Sequence, residues 1–165
     1  MKNFSVVLLG FILLIFGNFK SPDTIPPLNK EVVKYVKSVI GQQVDRGECW
    51  DLAAAALSYA GAYLDRSSQK TIYIFGKKLN PDKDEIFPGD IIQFENIQLE
   101  YQKGNAIYTE SMAHHTSIIY EVLEKGHYKL AHQNTAYTGK KVGISEFKLA
   151  NVKKGKMIFY RPVPN

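Results

Sequence analysis

The order of hydrophobic periods along this chain predicts an α+β domain with N-terminal helices packed on an antiparallel sheet. Three observations carry that prediction. Helical spacing governs the first part of the chain, the period changes to two or to short apolar runs from Thr71 onward, and the only cysteine, Cys49, heads an alanine-rich helical stretch.

The first twenty residues read as a signal peptide. Lys2 supplies a positive start, Phe4 to Phe16 is an apolar run interrupted only by Ser5 and Gly10, and the chain turns polar at Gly17. The run falls short of the roughly 18 residues of a membrane span, so no stable span is expected. Export to the periplasm or the outside of the cell follows as an expectation, with an uncleaved N-terminal tether as its variant. Residues 21–29, bracketed by Pro22, Pro26 and Pro27, read as a linker, and 30–165 as a single domain.

Within that domain, Leu28 to Ile40 places Val32, Val33, Val36 and Val39 at helical spacing, and Gly41 stops it. A second helix runs from Cys49 to about Leu64. Its alanines let other elements approach closely, which marks it as central. Strands are expected over Thr71–Phe75, Asp90–Phe94, Ile97–Tyr101, His115–Val122, Tyr128–His132 and Met157–Arg161. Between them, 95–113 forms a hairpin with a polar tip at Gly104-Asn105, and Pro88-Gly89-Asp90 forms a turn that the Asp90 side chain caps. The tyrosines, Tyr101, Tyr108 and Tyr137 among them, read first as cross-strand packing and second as a groove lining.

Charge narrows the function classes. The chain carries +5; leaving out Lys2 and Lys20 with the leader keeps 19 of 21 basic residues against 16 acidic ones, a net +3. The lysines are scattered, so a solvated surface explains them, and no nucleic-acid motif is present. No cofactor or metal motif is present either, because no further ligands accompany His114-His115 at metal spacing. A monomer is the simplest expectation.

Chemistry concentrates at three places. Cys49 is unpaired and sits where a helix dipole and unbonded amides stabilise a thiolate and an oxyanion. Its bland reading is a packed, inert thiol. His115, at the head of a strand, is the candidate base and acid; neighbouring His114 points to the opposite face, so only one of the two meets the cysteine. The next strand ends His132-Gln133-Asn134, where His132 and Asn134 share a face and offer a polar group to orient the imidazole, or simply lead into a turn.

These residues resemble the papain-like cysteine hydrolases of the bacterial cell-wall type, the CHAP and NlpC-like groups. The likeness lies in Gly47-Glu48-Cys49-Trp50, in Pro88-Gly89-Asp90, in His115-Thr116-Ser117-Ile118-Ile119 and in His132-Gln133-Asn134. It implies a papain-like fold, Cys49 as nucleophile, His115 as base and acid, and Asn134 as orienter. His132 stands where the CHAP pattern has a glutamate, and a more distant similarity to papain-type enzymes offers Gln43, with Gln42 as its competitor, as an oxyanion-hole side chain. The implied activity is amide hydrolysis through an acyl-enzyme, with peptidoglycan or another peptide as substrate. An inactive binding or structural module and an acyltransferase are the other classes compatible with the same residues.

Overall fold

The structure is a computed structural model, and it is described over residues 24–165. The expected leader, 1–20, lies outside the described residues.

Helix α1 (Pro27–Val39) begins on Pro27, whose fixed φ and missing N–H suit a first helical position. It turns Val32 and Val36 inward, both fully buried, and leaves Lys30, Lys34 and Lys37 exposed. Helix α2 (Cys49–Ala60) is closed at its start by a reciprocal capping box between Glu48 and Asp51. It ends four residues earlier than expected. Gly61 adopts a left-handed φ of 69° and Ala62 donates to the Leu57 carbonyl at 2.9 Å, a geometry that stops the helix.

Six strands follow: β1 (Lys77–Leu79), β2 (Ile91–Lys103), β3 (Ala106–Glu124), β4 (His127–His132), β5 (Gly143–Lys148) and β6 (Val152–Arg161). They form one antiparallel sheet in the order β1-β6-β2-β3-β4-β5. The α+β prediction therefore holds, with three local differences. Thr71–Phe75 is not a strand, because Thr71 and Ile72 fold back onto the Ser68 carbonyl at 3.2 Å, the kind of local bonding that competes with a ladder. The two expected segments Asp90–Phe94 and Ile97–Tyr101 are one strand, bent at Asn96 (φ 51°) where the register with β6 slips. Strands β1 and β5 were not anticipated; they form the two edges of the sheet, β1 beside β6 and β5 beside β4.

Alternation along the strands divides the sheet into two apolar faces. Ile91, Ile118, Ala131, Ile158 and Tyr160 pack with Val32, Leu52 and Leu57 of the helices. Ile92, Phe94, Ile119, Leu130 and Phe159 pack with Phe147 and Leu79 on the opposite face. Every side chain of β2, β3 and β4 near the helices is thereby assigned to one side or the other.

The Pro88-Gly89-Asp90 turn locks the helices to the sheet. Gly89 has φ 87°, and a Cβ there would lie 2.5 Å from the Asn29 carbonyl oxygen, so only glycine fits. Asp90, fully buried, accepts from the Phe87 N–H at 2.9 Å, as expected of a turn cap, and also from Asn29 Nδ2 at 2.8 Å and the Arg161 guanidinium at 2.8 and 3.1 Å. Among the described residues, no helix is long and apolar enough to cross a membrane.

Candidate functional site

Cys49 is the first residue of α2, where first-turn N–H groups have no intrahelical acceptor. The loop that delivers it is held by one buried side chain. Gln133 accepts from the Val44 N–H at 3.1 Å and donates to the carbonyls of Val44 at 3.0 Å and Glu48 at 2.8 Å. Gln133→Leu strands three backbone groups together, each worth about 1–3 kcal/mol when buried and unmet. The expected result is a fall of at least about 2 kcal/mol in urea unfolding and faster amide exchange at Val44.

The sulfur is half-buried, and desolvation pushes the Cys49 thiol above its ordinary pKa. The Thr116 backbone, the Trp50 backbone and the Thr116 hydroxyl oppose the shift, while the Glu48 charge adds to it. At rest Cys49 is therefore a thiol at neutral pH. Thr116, its neighbour across the interface, donates its hydroxyl to Gln93 Oε1 at 2.7 Å, and Gln93 Nε2 reaches the His114 ring at 3.2 Å. A polar chain thus runs Cys49, Thr116, Gln93, His114 along the helix-covered face. Gln93 and Thr116 are fully buried, and His114 is exposed at the mouth, edge-on to Tyr73 at 4.1 Å. Trp50 Nε1 donates to the Ile72 carbonyl at 2.6 Å, tying the Tyr73 loop to the start of α2.

His115 lies on the other side of the sheet, so the expected pairing of Cys49 with His115 does not form. The register pairs Gln93 with Thr116 and Phe94 with His115, and paired residues share a face. His115 packs 6.2 Å from the Phe94 ring, and its Nε2 lies 3.1 Å from His132 Nδ1; His132 Nε2 lies 3.0 Å from Ser145 Oγ. His132 meets the His115 imidazole, but within an apolar face away from the thiol. Burial above all, then the neighbouring imidazoles, lowers His115 to about 4, and burial lowers His132 to about 4. Both rings are neutral at pH 7.

Two further placements differ from expectation. Asn134, with φ 61°, donates to Glu48 Oε2 at 2.7 Å and so braces the cap residue instead of an imidazole. Gln43 is exposed and donates to the Asp45 carbonyl at 3.1 Å, within its own loop. Thr116, which bonds Cys49, and Gln93, which links Thr116 to His114, were not singled out, and His114 was named only as the neighbour on the opposite face. Strand alternation separates His114 from His115, but only knowing which face the helices cover tells which one meets Cys49. Among the described residues, no group of three or more His, Cys, Asp or Glu is placed to hold a metal ion.

A cysteine at the head of a helix that packs on an antiparallel sheet, facing a strand that carries histidine, defines the papain-like cysteine-proteinase class of fold. The chain belongs to the family described as the AIM3/BBC1 cysteine proteinase-fold domain, whose profile matches residues 28–165. A curated relative, "Altered inheritance of mitochondria protein 3" of Debaryomyces hansenii, is 28% identical over 149 residues, which is 81% of this chain and 16% of that protein. The chain thus spans about one sixth of the length of the curated relative it matches. Among solved structures, "The crystal structure of Ly7917" is 17% identical with a TM-score of 0.46, covering 80% of this chain and 62% of that one. "The crystal structure of Ly7917 with the hydrolyzing product of MDP" is 18% identical with a TM-score of 0.45, covering 81% and 63%.

These findings correct two expectations. The fold is papain-like, but the matching family is AIM3/BBC1 and not CHAP. The periplasmic or extracellular assignment is overturned by the relative, which is a yeast protein named for mitochondrial inheritance and not a bacterial exported one. The apolar leader suggested export by its composition alone, and composition does not identify a cell type.

Proposed function

We propose that this domain is a thiol-dependent hydrolase of peptide amides in which Cys49 is the nucleophile and His114, in place of His115, is the base and acid. The observation that carries the reading is the shared face: His114 is exposed at the mouth of the helix-covered side and linked to the Cys49 neighbour Thr116 through Gln93. No imidazole nitrogen among the described residues is within hydrogen-bonding distance of the sulfur at rest, and such contacts often tighten only when substrate is bound. The Cys49 proton passes to the His114 ring as the sulfur attacks the amide carbonyl carbon. The oxyanion so formed lies toward the first-turn N–H groups of α2. His114 then returns its proton to the departing amine, leaving a thioester on Cys49. Water, losing a proton to His114, cleaves the thioester, and the thiol is restored. Gln93 Nε2, 3.4 Å from Nδ1 and 3.2 Å from Nε2 of His114, keeps the ring beside the polar chain, while its Oε1 is taken by the Thr116 hydroxyl. Peptidoglycan loses its support as substrate, since it rested on the bacterial cell-wall resemblance.

The second reading, a papain-fold module that binds peptide without cleaving it, is favoured by the raised Cys49 thiol and by the absence of a carboxylate partner for His114 among the described residues. A mixture of internally quenched peptides separates the two. Wild type is expected to cleave, Cys49→Ala to lose cleavage, His114→Ala to fall by about 10²–10⁴, and His115→Phe to keep its rate where it folds. Loss in His115→Phe with normal folding and retention in His114→Ala restores His115 as the base. Intact peptides with every protein leave the binding module.

A further inference from the structure

Beyond the thiol, the β2–β3 hairpin and the 135–139 loop meet in a corner built from three tyrosines and one carboxylate. Tyr101 and Tyr108, paired across the hairpin, stack with ring centroids 5.6 Å apart and planes 12° from parallel. The Tyr101 hydroxyl donates to Glu110 Oε1 at 2.5 Å, and the Tyr137 hydroxyl donates to the same oxygen at 3.1 Å while lying 3.2 Å from the Tyr101 hydroxyl. Tyr137 is 76% exposed and Tyr108 45% exposed. Holding a ring that open costs apolar hydration, and here the phenol bonds fix it in place.

The carboxylate is the informative member. Both phenols converge on Oε1; among the described residues Oε2 has no hydrogen-bond partner and Glu110 no ion-pair partner, although its charge reaches the His132 ring. A fixed negative charge rimmed by open tyrosine faces is suited to a cation, which gains both the ion pair and the attraction of the ring quadrupoles. Other acids of the strands are already matched, Glu95 with Lys156 and Glu100 with Lys153.

The corner is also tied to the thiol. Glu48, which caps α2 immediately before Cys49, accepts from Asn134, and the chain from Asn134 runs directly into the loop that carries Tyr137. The corner itself opens on the other side of the sheet: beyond the bend at Asn96, Ile97 and Leu99, which pair with Met112 and Glu110, lie in the core opposite the helices, and the Glu110 charge acts on the His132 ring.

We propose that Tyr101, Tyr108, Tyr137 and Glu110 form a subsite for a lysine or arginine side chain of a bound peptide. The subsite rests on the hydrolase reading only in taking a peptide as its occupant; its preference for a cation does not depend on cleavage. It explains why Glu110 is pinned by two phenols and why Tyr137 stands open.

The test is binding to the uncleaving Cys49→Ala protein, read by fluorescence anisotropy at low salt. The probes are a set of fluorescein-labelled alanine-serine octapeptides with one lysine stepped through each position, and the same set with glutamine for lysine. At the favoured position, lysine is expected to bind about 10-fold tighter than glutamine, and Glu110→Gln and Tyr137→Ala, each made in the Cys49→Ala background, are expected to bring the two peptides within about 2-fold of each other. Equal affinity for both sets, absence of binding by either set, or a preference that persists in Glu110→Gln with an unchanged melting temperature overturns the subsite. Cleavage of the best lysine peptide by the wild type is measured separately. Preference without cleavage sinks the hydrolase reading and leaves the subsite standing, and cleavage without preference does the reverse.

Discussion

Acidification from pH 7 to pH 4 is expected to remove more stability from this domain than any conservative surface substitution. His115 is buried and His132 half-buried, they share a 3.1 Å contact, and both are lowered from 6.5 to about 4. An unfolded chain binds a proton at each ring near pH 6.5, whereas the folded chain does so only near 4. The unfolded state therefore holds more protons between those values. The contribution is fully present above pH 6.5 and is lost as pH falls through about 4. Each ring accounts for about 3 kcal/mol at most, so the pair approaches the total stability of an ordinary domain. Urea unfolding at half-unit steps from pH 7.5 to 4 measures it. The double variant His115→Phe/His132→Leu is expected to flatten the profile, and an unchanged slope in that variant would assign acid sensitivity to other groups.

Arg161→Met is expected to cost about 3–5 kcal/mol, because it leaves the fully buried Asp90 carboxylate without its cation. The guanidinium also stacks 4.7 Å from the Phe87 ring and donates to the Glu85 carbonyl, so it joins β6 to the turn that precedes β2. The double variant Asp90→Leu/Arg161→Met removes both charges and is expected to recover part of the loss, although the Phe87 N–H and Asn29 amide then lack their acceptor. Chemical denaturation of the wild type, Asp90→Leu, Arg161→Met and the double variant, read as a double-mutant cycle, gives the coupling directly. A loss below about 1 kcal/mol in Arg161→Met would mean that water reaches Asp90 and screens it.

Local rules were sufficient wherever one residue decides the backbone. The Gly89-Asp90 turn, the Cys49 helix start and the hairpin tip at Gly104 all appear where the sequence placed them. They fail where the deciding partner is distant. Thr71–Phe75 has strand composition, yet the Ser68 carbonyl captures its first amides, and Gly143–Lys148 becomes a strand because β4 offers an unpaired edge. The helix expected to reach Leu64 ends at Ala60 for a local reason, the left-handed Gly61, which the apolar spacing masked.

The candidate site divides along the same line. An α+β domain and a cysteine at a helix head were readable from the chain alone, because period, capping residues and glycine position are properties of neighbouring residues, and the papain-like class followed from the resemblance of its motifs. Which histidine shares a space with that cysteine was not. Ile118 and Ile119 are both apolar and both buried, so the strand carries no sign of which side is covered by helices. Packing of α1 and α2 on the Ile91, Ile118 and Ala131 face supplies that sign, leaving His114 on the helix-covered side and His115 in the opposite core. The physical reason is the two-residue period of a strand: adjacent positions go to opposite sides, and only tertiary contact distinguishes the sides.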